Sequence, residues 1–373
     1  MRITVTGPGP WLTAAAAILV GSVAMAVFWV SSGDSARAQL PPSYPVDYGF
    51  FFGLNYADEL PAESSADLAR STDDAVAVGA GWIRTDLAWY RIQPGPGSWD
   101  WSSFDRTVAS AKARGLKVLA VLGQAPVWAR DPACAARLWC PPADTGRFAA
   151  FAARAAQRYP ADVVPAWEIW NEENTTGFWS GGADPAAYGS LLEAASGAIR
   201  SARPQAEVVL GGLAVATSHN GLSPYDFLAA VARAGFLHYA DVIAYHPYSF
   251  PTLPSAAPDF TAISGEPHSL AAVLDRYGAA SMPIWLTETG APVTSAGDPY
   301  TAHSVTARNE QNQAAYVTDL VKAATRNAHV KAMFWFSDID LPAQNLYFGL
   351  RRADGGRRPS FEALAKAIKS YES

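Results

Sequence analysis

Charge is scarce in this 373-residue chain, where only 17% of residues are Asp, Glu, Lys or Arg while 50% are hydrophobic. That balance leaves ample apolar side chains for a large core. A basic excess is also missing: the formal net charge is −6. Nucleic acid is therefore not an expected partner, because its phosphates demand a positive face. Cysteine is nearly absent, limited to Cys134 and Cys140 in "DPACAARLWCPPAD". Two cysteines without further ligands nearby do not make a zinc site. The six histidines (219, 238, 246, 268, 303 and 329) show no His-x-x-x-His spacing, so no metal centre is expected. Neither a Gly-x-Gly-x-x-Gly dinucleotide loop nor a Gly-x-Ser-x-Gly nucleophile elbow occurs.

The first forty residues stand apart. Trp11 to Val30 read "WLTAAAAILVGSVAMAVFWV", and Ala36-Arg37-Ala38 follows as a small-x-small cleavage pattern. Residues 1–38 are therefore expected to be a signal peptide. A retained membrane anchor is the alternative, since the apolar run is long enough for a bilayer of roughly 30 Å. Either way the remainder, 39–373, is expected outside the cytoplasm. In an exported chain Cys134 and Cys140 are most simply one disulfide that pins a loop, with two free thiols as the other reading.

From there, short apolar runs alternate with Ala-rich amphipathic stretches. The apolar runs fall at 49–55, 81–87, 116–123, 163–172, 206–214, 240–248, 282–290 and 330–338. The clearest helical stretches fall at 147–159, 186–202, 270–278, 308–326 and 360–371. Uninterrupted apolar runs suit parallel strands covered on both faces. Eight strand–helix units predict an α/β fold of the (β/α)8 TIM-barrel type, forming a single domain, ahead of a doubly wound open sheet. The segment 249–270 is expected to be a long loop forming one wall of a cleft.

In such barrels chemistry sits at the C-terminal ends of the strands. Those ends carry Asn55, Arg84, Asn171-Glu172, His246 with Tyr248, Glu288 and Trp335. Two carboxylates on the fourth and seventh strands face each other across the mouth, which is what glycoside hydrolysis needs. Glu172 is the expected acid and base, and Glu288 the expected nucleophile. Arg84 and Tyr248 are expected to steady Glu288, and Asn171 to hold a sugar hydroxyl. Trp335, Trp128, Trp170, Trp179 and Trp285 are candidate platforms for sugar rings. Asp86, Gln124, Asp338 and Asp340 read as loop caps. Strict alternation would send Asn171 and Glu172 to opposite faces, so the fourth strand must end or bulge there.

The stretches "WEIWNEEN" (167–174), "AYHPYS" (244–249) and "PIWLTETG" (283–290) resemble the clan A retaining glycoside hydrolases, most closely the glycoside hydrolase family 39 type. "APVWA" (125–129) and the Cys134–Cys140 loop add to the likeness, which runs from "FGLNY" (52–56) to "FWFSD" (334–338). The resemblance implies Glu172 as acid/base and Glu288 as nucleophile, and a substrate-facing set of Arg84, Asn171, His246, Tyr248 and Trp335. It also implies a covalent glycosyl-enzyme without metal or organic cofactor. One departure is Glu173, where the family pattern has Pro after the acid. A second carboxylate there would raise the acid's pKa further. The sequon "NTT" at Asn174 is expected to be unmodified. A poly- or oligosaccharide is the expected partner, of a sugar and linkage left open among xylosidase, mannanase-like, galactosidase and arabinofuranosidase types. A barrel that binds carbohydrate without turnover is the rival from another class.

Overall fold

The protein is seen in a computed structural model that describes residues 49–265, 267–293 and 310–373. The expected leader, 1–38, lies outside the described residues. In chain order the elements are β1 (Phe51–Asn55), α1 (Ser65–Ala77), β2 (Trp82–Ala88), α2 (Trp89–Ile92), α3 (Ser102–Ala113), β3 (Lys117–Gly123) and α4 (Thr145–Arg158). Then come β4 (Ala166–Asn171), α5 (Pro185–Ala202), β5 (Glu207–Ala214), α6 (Pro224–Arg233), β6 (Val242–His246), α7 (Pro258–Ser264) and α8 (Leu270–Arg276). The last are β7 (Ile284–Thr289), α9 (Glu310–Arg326), β8 (Val330–Phe336) and α10 (Pro359–Glu372). All eight strands pair in parallel with their sequence neighbours, and β8 closes onto β1. The expected (β/α)8 TIM barrel is the observed fold. The segment expected as one long loop, 249–270, instead folds partly into α7.

Five of the helices start where short polar side chains accept otherwise unpaired N–H groups. Ser64, Ser223 and Ser269 accept from the N–H three residues on, Asp144 from the N–H two residues on, and Asp184 from both. The strands are buried on both faces for different reasons. Outward residues such as Ile83, Leu122, Ile169 and Leu286 join the layer beneath the helices. Inward residues form a separate apolar plug made of Phe51, Trp82, Leu119, Ala166, Val209 and Trp285 with their neighbours. Trp82 and Trp285 meet edge to face at 5.8 Å. This plug is the floor on which the next inward layer rests.

That next layer is polar. Arg84, Glu168 and Thr287 stand two residues beyond Trp82, Ala166 and Trp285 on the same strand faces. His246 stands two residues beyond Ala244. Room for it comes from Gly212, where a Cβ would lie 1.9 Å from the imidazole. Its neighbour Gly211 serves the opposite face, where a Cβ would lie 2.2 Å from the Glu173 carboxylate. Strand β5 slips register across this pair. The Gly-Gly step thus seats two functional-looking side chains that a larger residue would displace.

Candidate active site

Above the polar layer opens a cavity of about 700 Å3. Its polar lining includes Arg84, Asp86, Gln124, Asn171, Glu172, Tyr248 and Glu288. Its apolar walls are Trp139 and Phe178 from one set of loops, and Phe250, Phe336, Tyr347 and Phe348 from another. A smaller pocket of about 390 Å3 shares Glu172, Phe178 and Tyr248, and reaches Thr175, Asn220 and His246.

Backbone strain gathers here. Among the described residues, the non-glycine positions with positive φ are Ala57, Gln124, Trp170, Glu172 and Asn345, and all but Trp170 line the cavity. Such conformations cost free energy and cluster where geometry matters more than stability. At the end of β4 they answer the alternation problem. Asn171 still pairs with Gly212, but Trp170 (φ 72°) and Glu172 (φ 48°) are left-handed on either side of it. Regular β geometry ends at Asn171, so that both Asn171 and Glu172 reach the cavity.

Glu288 is held by three donors. Asn55 Nδ2 lies 2.9 Å and Arg84 Nη1 3.2 Å from its Oε2, and Tyr248 Oη lies 2.7 Å from its Oε1. Arg84 also grips Glu168 through Nε and Nη2 at 2.9 and 2.8 Å, and donates from Nη2 to Asn171 Oδ1 at 2.6 Å. This fully buried guanidinium stays charged, because its carboxylate partners outweigh burial. By engaging Asn171 Oδ1 it leaves the Asn171 amide NH2 as the group available to the cavity. Burial beside Glu288 raises the Tyr248 hydroxyl far above its ordinary pKa, so it remains a donor.

Glu172 is a different kind of carboxyl. Its Oε1 lies 3.0 Å from His246 Nδ1, and its Oε2 has no hydrogen-bond partner among the described residues. Burial pushes it up to about 7, with Arg84 opposing. His246 is pushed down to about 4 by its own burial, so it is a neutral imidazole that also meets Thr287 Oγ1 at 3.0 Å. An oxygen of Glu172, an oxygen of Glu288 and a His246 nitrogen all lie within 4.8 Å of one another. A cation at their centre would compete with the Arg84 guanidinium for Glu288, so the trio reads as an acid–base arrangement rather than a chelate.

Glu173 turns the other way. It is fully buried against Gly211, both its oxygens lack hydrogen-bond partners, and burial raises its pKa well above the carboxylate range. Its raised pKa favours the neutral form, and the elevation of Glu172 comes chiefly from that carboxyl's own burial. Asn174 is buried, with its amide donating to the carbonyls of Ala214 and Leu222. No side-chain nitrogen is presented at the sequon.

Of the residues expected to face substrate, Arg84, Asn171 and Tyr248 line the main cavity and His246 the side pocket. Three need correction. Asn55 is fully buried beneath Glu288, with its amide donating to Glu288 and accepting from the Ala57 N–H; it orients a carboxylate rather than a sugar. Trp335 is fully buried and packs on Tyr316 of α9, because odd positions of β8 face the helices. The neighbouring even position, Phe336, lines the cavity instead. Trp128 packs on Trp89 and donates to the Gln93 carbonyl, away from the cavity. The lesser candidates Trp170, Trp179 and Trp285 are likewise core residues.

Cys134 and Cys140 do form a disulfide. The loop it closes brings Leu138 and Trp139 to the cavity, where Trp139 packs on Phe178 at 4.9 Å. Glu168 is a further site residue outside the quoted strand ends, and Asp86 and Gln124, expected as loop caps, line the cavity. The signal for Glu168 was present: a charge inside an apolar run, at the same strand depth as Arg84.

No protein-family model matches the sequence, and no curated protein matches it. Solved structures do. A family 39 glycoside hydrolase from the gut symbiont Bacteroides cellulosilyticus WH2 superposes with a TM-score of 0.67 at 22% identity, over 89% of this chain and 65% of that one. A monomeric β-xylosidase from Caulobacter crescentus CB15 gives 0.63 at 21% identity, over 87% and 69%. Xylanase 10B from Thermotoga maritima gives 0.60 at 15% identity, over 87% and 96%. The chain thus spans slightly less than two thirds of the first of these proteins. At such identities the likeness is one of fold.

Proposed function

We propose that this chain is a retaining glycoside hydrolase acting on a poly- or oligosaccharide outside the cytoplasm. The observation that carries this reading is the pair Glu172 and Glu288. Carboxyl oxygens within 4.8 Å leave no room for the water that an inverting mechanism places between its two carboxyls, which stand about 6.5–9.5 Å apart. The two carboxyls also sit in opposite surroundings. Glu172 is raised to about 7 and keeps an oxygen free, as a proton donor at neutral pH requires. Glu288 accepts from three donors, as an anionic nucleophile requires. The resemblance to family 39 and the fold of the superposed hydrolases support the same assignment.

In the first step a Glu288 oxygen attacks the anomeric carbon while Glu172 gives its proton to the departing glycosidic oxygen. Asn171, oriented by Arg84, donates to the hydroxyl beside the anomeric carbon. In the second step ionised Glu172 takes a proton from water, which attacks the same carbon and releases Glu288. The Cys134–Cys140 disulfide supports an oxidising, extracytoplasmic setting.

The test is Glu288→Ala against activated aryl glycosides. Turnover should fall by roughly 10⁴-fold or more, and added azide should restore it as a glycosyl azide of inverted configuration. A variant that keeps wild-type rates overturns the mechanism. A wild type that binds sugars but cleaves none points to the non-catalytic barrel.

A further inference from the structure

One corner of the cavity takes no part in the chemistry above. Asp86 stands two residues beyond Arg84 on the inward row of β2, and Gln124 follows β3 with φ 54°. Gln124 Nε2 donates to Asp86 Oδ2 at 3.0 Å. Asp86 Oδ1 has no partner among the described residues, and Gln124 Oε1 is buried without one. Both residues line the cavity although Asp86 is only 8% exposed and Gln124 3%. A buried acceptor left unpaired costs about 1–3 kcal/mol. One such acceptor on Gln124, with strained backbone, beside an unpartnered Asp86 oxygen at the cavity, is poorly explained by folding alone.

What they lack is a donor. Burial pushes Asp86 up to about 7, and the donors that carbohydrate hydroxyls and amines supply favour its ionised form; a uronate carboxylate supplies only acceptors. The charges around the cavity agree. Asp58, Asp86, Glu172 and Glu288 line it, and Arg84 is the cation among its described lining residues. Arg84 is already committed to Glu168, Glu288 and Asn171, and Asp58 is paired with Arg91. None of the described lining residues offers an uncommitted cation to an acidic sugar. Asp86 lines the same cavity as Glu288, so the subsite and the nucleophile open onto one space.

We propose that Asp86 and Gln124 form a donor-reading subsite for the sugar unit transferred to Glu288, selecting a neutral or amino sugar over a uronic acid. This rests on the glycosidase reading and names its substrate class. Asp86 Oδ1 and Gln124 Oε1 accept from adjacent ring substituents remote from the anomeric carbon. The Gln124 amide proton on Oδ2 fixes the carboxylate so that Oδ1 faces the sugar.

The experiment uses 4-nitrophenyl xyloside, glucoside, galactoside, mannoside, glucosaminide and glucuronide. Hydrolysis is followed with the wild type, Asp86→Asn and Gln124→Leu. Binding of the same compounds is followed calorimetrically in a Glu288→Gln background, which leaves them intact. The wild type should favour a neutral or amino glycoside over the glucuronide by at least about tenfold. Asp86→Asn should lower kcat/KM on the favoured compound by about 10- to 100-fold, the range for a lost charged hydrogen bond. It should also narrow the gap to the glucuronide. Gln124→Leu repeats the test at the second acceptor should Asp86→Asn fold poorly. Preference for the glucuronide, or wild-type kcat/KM in both variants, overturns the proposal while leaving the glycosidase intact. Binding that depends on Asp86 without any hydrolysis overturns the glycosidase and keeps the subsite. Absence of both binding and hydrolysis across the panel overturns both.

Discussion

The floor and the mouth of this barrel are built from the same strands with the same alternation, two residues apart. Phe51, Trp82, Ala166, Ala244 and Trp285 fill the floor. Two positions further on stand Gly53, Arg84, Glu168, His246 and Thr287. The floor is apolar and aromatic, so it gains free energy from burial in proportion to area. The mouth buries the Arg84 guanidinium, the Glu168 carboxylate and the His246 imidazole, which burial alone penalises. It persists because the charges are paired and because the floor supplies the stability that the mouth spends on geometry. The same side-chain parity therefore produces stability at one depth and chemistry at the next. Mutations at the two depths should fail in different ways.

The largest difference is kinetic and belongs to the mouth. Glu172→Ala should slow cleavage of glycosides with poor leaving groups by about 10²–10⁴-fold. Activated aryl glycosides should still glycosylate the enzyme rapidly and then deglycosylate slowly, which appears as a burst in stopped-flow traces. Thermal stability should not fall. Equal slowing for good and poor leaving groups would contradict Glu172 as proton donor and erase the contrast with the floor.

Next comes the floor itself. Trp82→Ala removes an indole that contacts Phe51 and Trp285 and should cost about 3–5 kcal/mol in denaturant unfolding. Assayed below its melting point, the folded fraction should retain near wild-type kcat on an aryl glycoside. A fall in kcat beyond tenfold at full folding would mean that the two layers are not separable.

A third prediction uses pH. Glu172 is raised from 4.5 to about 7 by burial. A carboxyl whose folded pKa lies above its unfolded value favours the folded state fully below the unfolded pKa. That advantage is lost as pH rises through the folded pKa. Glu172 should therefore withdraw about 3 kcal/mol of stability between pH 4.5 and pH 8. Glu172→Gln, which cannot ionise, should flatten the fall in Tm over that window relative to wild type. In the wild type, kcat/KM should decline above pH 7, as the acid form of Glu172 is depleted. A Tm profile unchanged by Glu172→Gln would show that the carboxyl is not buried as described.

Much of this was readable from residue order, because barrel strands are apolar on both faces and the polar interruptions mark the mouth. Arg84, His246 and Glu288 emerge that way. The ends of β4 and β8 were harder for opposite reasons. At β4 two left-handed residues break the alternation, so parity misjudges which side chains turn inward. At β8 parity holds, and counting from the floor residue Phe334 would have chosen Phe336 over Trp335. Asn55 has the right position, but hydrogen bonding consumes its amide before substrate arrives. Trp139 was out of reach, because where a disulfide-closed loop lands is decided by packing against Trp170 and Phe178. Asp86 and Gln124 looked like loop caps because nothing local distinguishes a capping acceptor from one left waiting for a donor.

The smallest effects separate adjacent aromatics on β8. Phe336 borders the cavity at 7% exposure, whereas Trp335 is fully buried against Tyr316. Phe336→Leu removes an aromatic face from the sugar path and keeps most of the apolar volume. KM or the dissociation constant of a bound glycoside should rise about three- to tenfold, consistent with about 1 kcal/mol for a ring contact, with little change in Tm. Trp335→Phe should do the reverse. Its indole Nε1 is buried without a partner, so losing it removes an unsatisfied donor while leaving a void, and Tm should shift modestly with KM unchanged. Should Trp335→Phe raise KM and Phe336→Leu leave it alone, the aromatic that faces sugar would be Trp335 after all, and the inward parity of β8 would end one residue earlier than its pairing with β1 requires.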